Sequence, residues 1–379
     1  MRAHVLADAR LAKLAGRFVR LDVDTEKPRN APFLEKFPID AWPTLLVLDA
    51  GTEQAVVRWA GTATAAEVER LARDGERAMR AERASEPDEA LAHADRLVAA
   101  RRHAEAAPVL RRALAAGGKA WPARARAAET LVQALGFAGD PGACAAAARE
   151  VVPALRPGPA LARAAAQGLS CALEQDDGPA RRSALDVLER EARRALSAKE
   201  VLADNRSSLY GALASAREAR GDAAGTRALA RGWLAFLERE AARAKTPLGR
   251  AAFDGQRLEA AIRLGEPRRV LPALLASERD LPDEFVPPTN LAVVYLEIGT
   301  PRDALAAADR ALARAEGPRR IRVLVLRARA QDALGRRMDA RATLERALAE
   351  AAALPESLRP RGSVAAAERL LRELGGAAE

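Results

Sequence analysis

The feature that most constrains this chain is a pattern that returns with a period in the mid-thirties. Its clearest copy runs Asn290-Leu291-Ala292, Tyr295, Gly299, Ala304, Ala308, Ala311, and it returns 36 residues later as Ala328, Gly335, Ala340 and Ala347. Fainter copies carry Ala94, Ala106 and Ala113, then Gly139 and Cys144, then Ala214 and Gly221, then Leu258 and Gly265. Self-similarity at this spacing marks stacked supersecondary units, each too small to bury its own apolar face. Within a copy the glycine reads as a turn between two helices. The alanines read as crossing points, because only small side chains let two helix backbones approach closely. Thr300-Pro301-Arg302-Asp303 supplies an N-cap, an N1 proline and an acidic N3 residue for the second helix of its copy. From about residue 82 onward the pattern predicts about seven helix pairs. The stretch 155–200 is irregular, broken clearly only at Gly178-Pro179, and a closing helix is expected over Ser363–Leu374, capped by Gly375-Gly376.

Composition agrees with short packed helices. Of the 379 residues 49% are apolar, mostly Ala and Leu, and only 13 are aromatic, so a core is available and intrinsic disorder is not expected. No apolar run reaches the roughly 20 residues that span a bilayer, and no basic, apolar, small-residue leader opens the chain. The formal net charge of +9 falls entirely on residues 76–379, since residues 1–75 hold 11 basic and 11 acidic residues. Only six of the 61 basic residues are Lys, and acidic residues interleave with Arg throughout, as in Glu189-Arg190-Glu191 and Glu238-Arg239-Glu240. Alternating charge of this kind makes solvated helix faces. Nucleic-acid binders concentrate their charge and interleave aromatics, so no nucleic-acid partner is expected. Cys144 and Cys171 fit no metal or redox spacing and read as two small buried side chains outside any disulfide framework. His4, His93 and His103 do not cluster, so no metal site is expected, and no Walker-type or Gly-x-Ser-x-Gly pattern occurs that would suggest a hydrolase or transferase in the helical part.

The repeat resembles the tetratricopeptide (TPR) repeat: a small residue early in the first helix, an aromatic one turn on, a turn glycine, then small residues in the second helix. That resemblance implies an α-solenoid whose concave face is made by first helices, with Val293, Leu296 and Glu297 among its lining residues. Some members clamp acidic C-terminal peptides with Lys and Asn. Beyond residue 80 this chain has only Lys119, Lys199, Lys245, Asn205 and Asn290, which does not support such a clamp.

The first eighty residues follow a different grammar. They hold Phe18, Phe33, Phe37, Trp42 and Trp59 and the convincing strand signals. Arg17–Val23 alternates apolar and charged residues as a half-exposed strand does, and Thr44–Leu48 is a continuous apolar run. Asp49-Ala50-Gly51-Thr52 turns into the β-branched run Ala55–Trp59, predicting a hairpin. Thr64 with Glu67 forms a capping box for a helix that Gly75 is expected to end. Val5–Leu14 and Ala31–Phe37 have helical spacing.

In this order the segment resembles the thioredoxin fold from within its first helix onward. Phe18–Asp24 resembles a core strand and its acidic end, Phe33–Ile39 the following helix, and Trp42-Pro43-Thr44 the cis-proline loop before the hairpin. The family's Cys-x-x-Cys and the central strand that carries it have no counterpart after Met1. Without that strand Arg17–Val23 is expected to be poorly paired, and a compact four-stranded sheet would refute this account. The start either lies upstream of Met1 or the module is a degenerate remnant. The resemblance further implies that Ala41, Trp42 and Thr44, beside Pro43, pair with an extended peptide. The plainer reading is that Trp42 packs under the loop and Pro43 sets a tight turn.

The fold class expected is therefore mainly α: a solenoid of TPR-like hairpins over residues 81–379, preceded by a small incomplete α/β thioredoxin-like domain over residues 1–80. The function expected is a non-catalytic scaffold that binds a protein or peptide partner, with no cofactor and no membrane span. The alternative is a fragment of a thiol–disulfide oxidoreductase whose Cys-x-x-Cys lies upstream. As written the chain is expected in the cytoplasm, or exported to a compartment such as the periplasm if a signal peptide precedes it.

Overall fold

Ala- and Leu-rich text punctuated by Gly and Pro becomes helix almost throughout. The computed structural model describes residues 5–6, 8–39, 41–80 and 85–375. In chain order the elements are α1 (Ala31–Lys36), β1 (Thr44–Asp49), β2 (Gln54–Ala60) and α2 (Ala65–Arg80). There follow α3 (Glu86–Ala99), α4 (His103–Gly117), α5 (Arg124–Phe137), α6 (Pro141–Val151), α7 (Pro159–Leu173), α8 (Pro179–Leu196), α9 (Ala203–Ala219) and α10 (Ala223–Arg243). The remainder is α11 (Pro247–Ala251), α12 (Asp254–Leu264), α13 (Leu271–Asp280), α14 (Val286–Glu297), α15 (Pro301–Arg314), α16 (Pro318–Ala333), α17 (Arg337–Ala352) and α18 (Arg361–Gly375). Proline opens α6, α7, α8, α15 and α16, where its missing N–H has no intrahelical partner to lose.

One turn recurs between the first and second helix of a pair. Gly139, Gly221, Gly265, Gly299 and Gly335 all have φ between 69° and 82°. The N–H after each reaches back across the helix end, as from Thr300 to the Tyr295 carbonyl (2.9 Å) and from Arg336 to Gln331 (2.9 Å). This is the Schellman closure, which needs a left-handed residue and therefore favours glycine. Between α3 and α4 the left-handed position is Arg101, φ 59°, with the same bond from Arg102 to Leu97 (2.8 Å). Five residues beyond each of these positions a side chain is buried at the helix crossing: Ala106, Cys144, Thr226, Val270, Ala304 and Ala340. The small-residue pattern read from the sequence is this crossing. Thr300 stands at the N-cap of α15 as expected, but its hydroxyl donates to the Tyr295 carbonyl (3.3 Å) and caps no N–H.

The chain divides into two compact units. The first comprises Met1–Arg20 and Ile39–Leu229, the second Leu21–Pro38 and Ala230–Glu379. In the first unit the hairpins α3–α4, α5–α6 and α7–α8 and helix α9 share one apolar core, built largely of Ala and Leu. The β1–β2 hairpin is antiparallel, pairing Thr44 with Ala60 and Asp49 with Gln54, with an irregularity between Val47 and Leu48. Helix α2 covers one face of it, burying Val57, Trp59, Ala63 and Leu71 together. The Trp42–Pro43 bond is cis.

Four readings from the sequence are corrected. Arg17–Val23 forms no strand: among the described residues the sheet has two strands, and an alternating segment with no neighbouring ladder has nothing to pair with. Val19 and Leu21 are accordingly 88% and 70% exposed. Helix α2 does not stop at Gly75 but runs through it to Arg80. Gly75 is there for close approach, since a Cβ at that position would lie 2.5 Å from Val47 Cγ1. The third concerns the cysteines. Cys144 on α6 and Cys171 on α7 are not separate thiols but a disulfide, their Cα atoms 6.0 Å apart. Their spacing in sequence hid this, because the stacking of successive hairpins brings the two helices together. The helical signal over Val5–Leu14 yields a 3-10 turn at Ala9–Leu14.

In the second unit α14–α15 and α16–α17 form the same kind of hairpin, and α18 packs against α16 and α17. Residues 21–38 belong to this unit. Lys27 Nζ meets Glu316 (2.8 Å), Arg319 pairs with Glu26 and Asp24 and stacks over the Phe285 ring (5.1 Å), and α1 packs near the turn at Glu356–Leu358. Gly376, expected in the cap of the closing helix, lies outside the described residues, as does His4.

Candidate functional site

In the first unit the first helices of successive pairs direct polar side chains at residues 58–74 of the same chain. Helix α2 starts with the expected capping box: the Thr64 N–H donates to Glu67 Oε2 (2.8 Å) and the Glu67 N–H donates to Thr64 Oγ1 (3.2 Å). Glu67 also receives Arg163 of α7 (2.5 Å), and the same guanidinium pairs with Glu129 of α5 (2.5 Å) and lies 4.8 Å over the Trp59 ring. Two turns along α2, Asp74 meets Arg126 of α5 (3.1 Å), which also pairs with Asp95 of α3 (2.6 Å). The Thr62 hydroxyl donates to Asn205 Oδ1 of α9 (2.6 Å), and Gln133 of α5 donates to the Ala60 carbonyl (3.3 Å).

Asp95, Arg126, Glu129 and Arg163 are buried and Glu67 and Asp74 half-buried, and a buried charge is tolerated only when paired. Burial opposes the Arg163 charge, yet Glu129 and Glu67 hold its pKa above the ordinary arginine value. Burial also opposes ionisation of Glu67, but Arg163 and Thr64 together pull its carboxyl below the usual range. For Glu129 burial wins over Arg163 and pushes the carboxyl up; Asp95 is pushed up for the same reason against Arg126. The residual gap between hairpin and helices, lined by Arg58, Trp59, His103, Arg126, Gln133 and Phe137, is only about 10 Å³. It has room for about one water molecule. This arrangement is a packed joint, and the chain's own hairpin and α2 occupy that face of the first helices.

The residues singled out from sequence fall into two groups, one in each unit. Ala41, Pro43 and Thr44 are half-buried in the first unit, and Trp42 is 70% exposed, so it does not pack under the loop. The Thr44 hydroxyl donates to the Ala41 carbonyl (2.6 Å), and the Pro43 carbonyl accepts the Gly61 N–H (2.7 Å), which extends the hairpin into the loop. Val293 and Leu296 are half-buried and Glu297 is exposed on α14 in the second unit. Val286, Asn290, Val293 and Glu297 share one stripe of that helix, at the spacing that repeats along one face. Val286 is 43% exposed, whereas Asn290 is 5% exposed with no hydrogen-bond partner for its Nδ2. No group of His, Cys, Asp and Glu among the described residues could hold a metal ion, and no described helix is long and apolar enough to cross a membrane.

Sequence reasoning missed Asp95, Arg126, Glu129 and Arg163. Their one signal was charge placed on otherwise apolar faces of first helices. The partners lie 31 to 96 residues away, so no local spacing connects them.

No family model matches the chain, and no curated protein matches it. Among solved structures it is similar to a tetratricopeptide repeat protein from Parabacteroides merdae, at 11% identity over 75% of this chain and 99% of that one, with a TM-score of 0.46. It is similar to Acl4, the assembly chaperone of RpL4, at 16% identity over 77% and 99%, with a TM-score of 0.37. A third is the TPR2AB domain of yeast Sti1 in complex with pHSP90, at 15% identity over 76% and 98%, with a TM-score of 0.30. At these identities and scores the likenesses carry no inference about what this chain binds.

Proposed function

We propose that this protein is a non-catalytic protein–protein interaction scaffold built from TPR-like hairpins over residues 81–379, in which the first helix α14 of the second unit presents its face to a peptide or protein partner. Residues 1–80 are read in it as a degenerate thioredoxin-like remnant, divided between the two units and without a redox role. The observation that carries the reading is the α14 stripe. Val286 and Val293 offer apolar surface to water, Glu297 adds an exposed charge, and Asn290 keeps a buried amide N–H₂ without a hydrogen-bond acceptor. A buried donor left unmade costs roughly 1–3 kcal/mol, which a ligand carbonyl would recover. An extended peptide presents carbonyls at every residue. Leu296 borders the same face. Independently, in the first unit, the loop Ala41–Thr44 with Pro43 and its exposed Trp42 is proposed as a separate peptide contact.

Peptide-display selection against the full-length protein tests this. Selected peptides should lose at least tenfold in affinity on Val293→Glu and on Asn290→Ala. Recovery of no peptide, or peptides indifferent to both substitutions, would overturn the assignment. Both cysteines are consumed in the α6–α7 bridge, so insulin reduction by the protein should not exceed that of a Cys144→Ala/Cys171→Ala variant.

A further inference from the structure

Cys144 and Cys171 are the only cysteines of the chain, and both are joined. Cys144 occupies the small-residue crossing position of its hairpin and is fully buried; Cys171 is 2% exposed. The bridge spans the junction between one hairpin's second helix and the next hairpin's first. Its helices are in close contact nearby, since a Cβ on Gly168 of α7 would lie 2.5 Å from the Ala148 Cβ of α6. A Cα separation of 6.0 Å sits at the commonest value for disulfides, so the backbone accommodates the bond without moving. Along one stripe of α7, Arg163, Gln167 and Cys171 follow at four-residue spacing. The Gln167 amide donates to Cys171 Sγ (3.4 Å), and Arg163 is the cation between Glu67 and Glu129. The bridge therefore fixes the helix that carries the buried cation of the joint.

We infer that this protein completes its fold in an oxidising compartment, where the Cys144–Cys171 bond is made as a permanent staple between consecutive hairpins. The step is thiol–disulfide exchange. The thiolate of one cysteine attacks a donor disulfide, the second cysteine resolves the mixed disulfide, and one S–S bond forms in the protein as one breaks in the donor. The donor leaves as a dithiol, carrying away the two electrons and two protons. Disulfides persist where the surroundings are oxidising and are rare where glutathione and thioredoxin keep thiols reduced. Burial of both sulfurs then shields the bond from further exchange. The inference stands apart from the scaffold reading, since it requires no partner.

The test is acid quenching of cells that make the protein naturally, followed by alkylation under denaturing conditions and mass measurement. Both cysteines should be blocked, and should take up two alkyl groups only after reduction. Direct alkylation of a substantial fraction without reduction would overturn the inference. As a second measurement, the Cys144→Ala/Cys171→Ala protein should melt about 10 °C below the bridged wild type. Reductant added to unfolded, refolding wild type should produce the same loss. Equal melting temperatures for bridged, reduced and variant protein would show that the bond is no staple.

Discussion

Arg163 shows how one side chain joins three parts of a fold. It touches α2 through Glu67, α5 through Glu129 and the hairpin through the Trp59 ring. Glu129 is 1% exposed, so Arg163→Ala would leave a buried carboxylate uncompensated. Such a change costs about 3–5 kcal/mol, read as a lower denaturant midpoint, and Glu129→Gln on top of it should restore part of the loss. Glu67 makes a pH prediction with a definite sign. Its folded carboxyl is held below the usual range, so the stability it contributes is present above the ordinary glutamate pKa and is lost as pH falls through the lowered folded value. Glu67→Gln keeps the cap but removes the charge. It should cost about 2 kcal/mol at neutral pH, and the gap from wild type should close in acid. The raised carboxyls of Glu129 and Asp95 act in the opposite direction, so the difference between the two proteins, and not the wild-type curve alone, reads Glu67.

At the scale of elements, two backbone positions turn local chemistry into packing. Gly75 lies inside α2, where alanine would ordinarily favour the helix by about 1 kcal/mol. Here an added Cβ meets the Val47 side chain of β1, so Gly75→Ala should destabilise by about 1–2 kcal/mol in thermal unfolding. Val47→Ala should cancel part of that. Arg101 is the converse case, a side chain holding the left-handed place that glycine takes in five related turns. Arg101→Gly should stabilise the first unit by about 0.5–1 kcal/mol, seen as a higher melting temperature. Much of this level was readable beforehand. The turn glycines, the crossing alanines, the hairpin and the capping box at Thr64 each depend on residues a few positions apart. What was not readable depended on distant neighbours. Arg17–Val23 alternates like a strand; that it would be poorly paired was readable from the missing central strand, but not that it would form no strand at all, and Gly75 looks like a stop until Val47 is placed against it. The Arg126 and Arg163 joint was not legible, because its acids come from three different helices.

For the whole molecule, each unit has a core of its own and a share of the first eighty residues: 1–20 and 39–80 go to one, 21–38 to the other. Calorimetric unfolding should therefore depart from a single two-state transition. Arg163→Ala should move the component belonging to its own unit and leave the other in place. A single transition that shifts as a whole would contradict that expectation. The joint between Glu67 and Arg163, 96 residues apart, also has a consequence for biosynthesis. While the chain is being translated, the hairpin leaves the ribosome long before α7 exists, and residues 24–27 wait longer still for Arg319. The α-hairpins can close as they emerge, but the carboxylates of Glu67, Asp24 and Glu26 stay without their arginines until those distant helices are made.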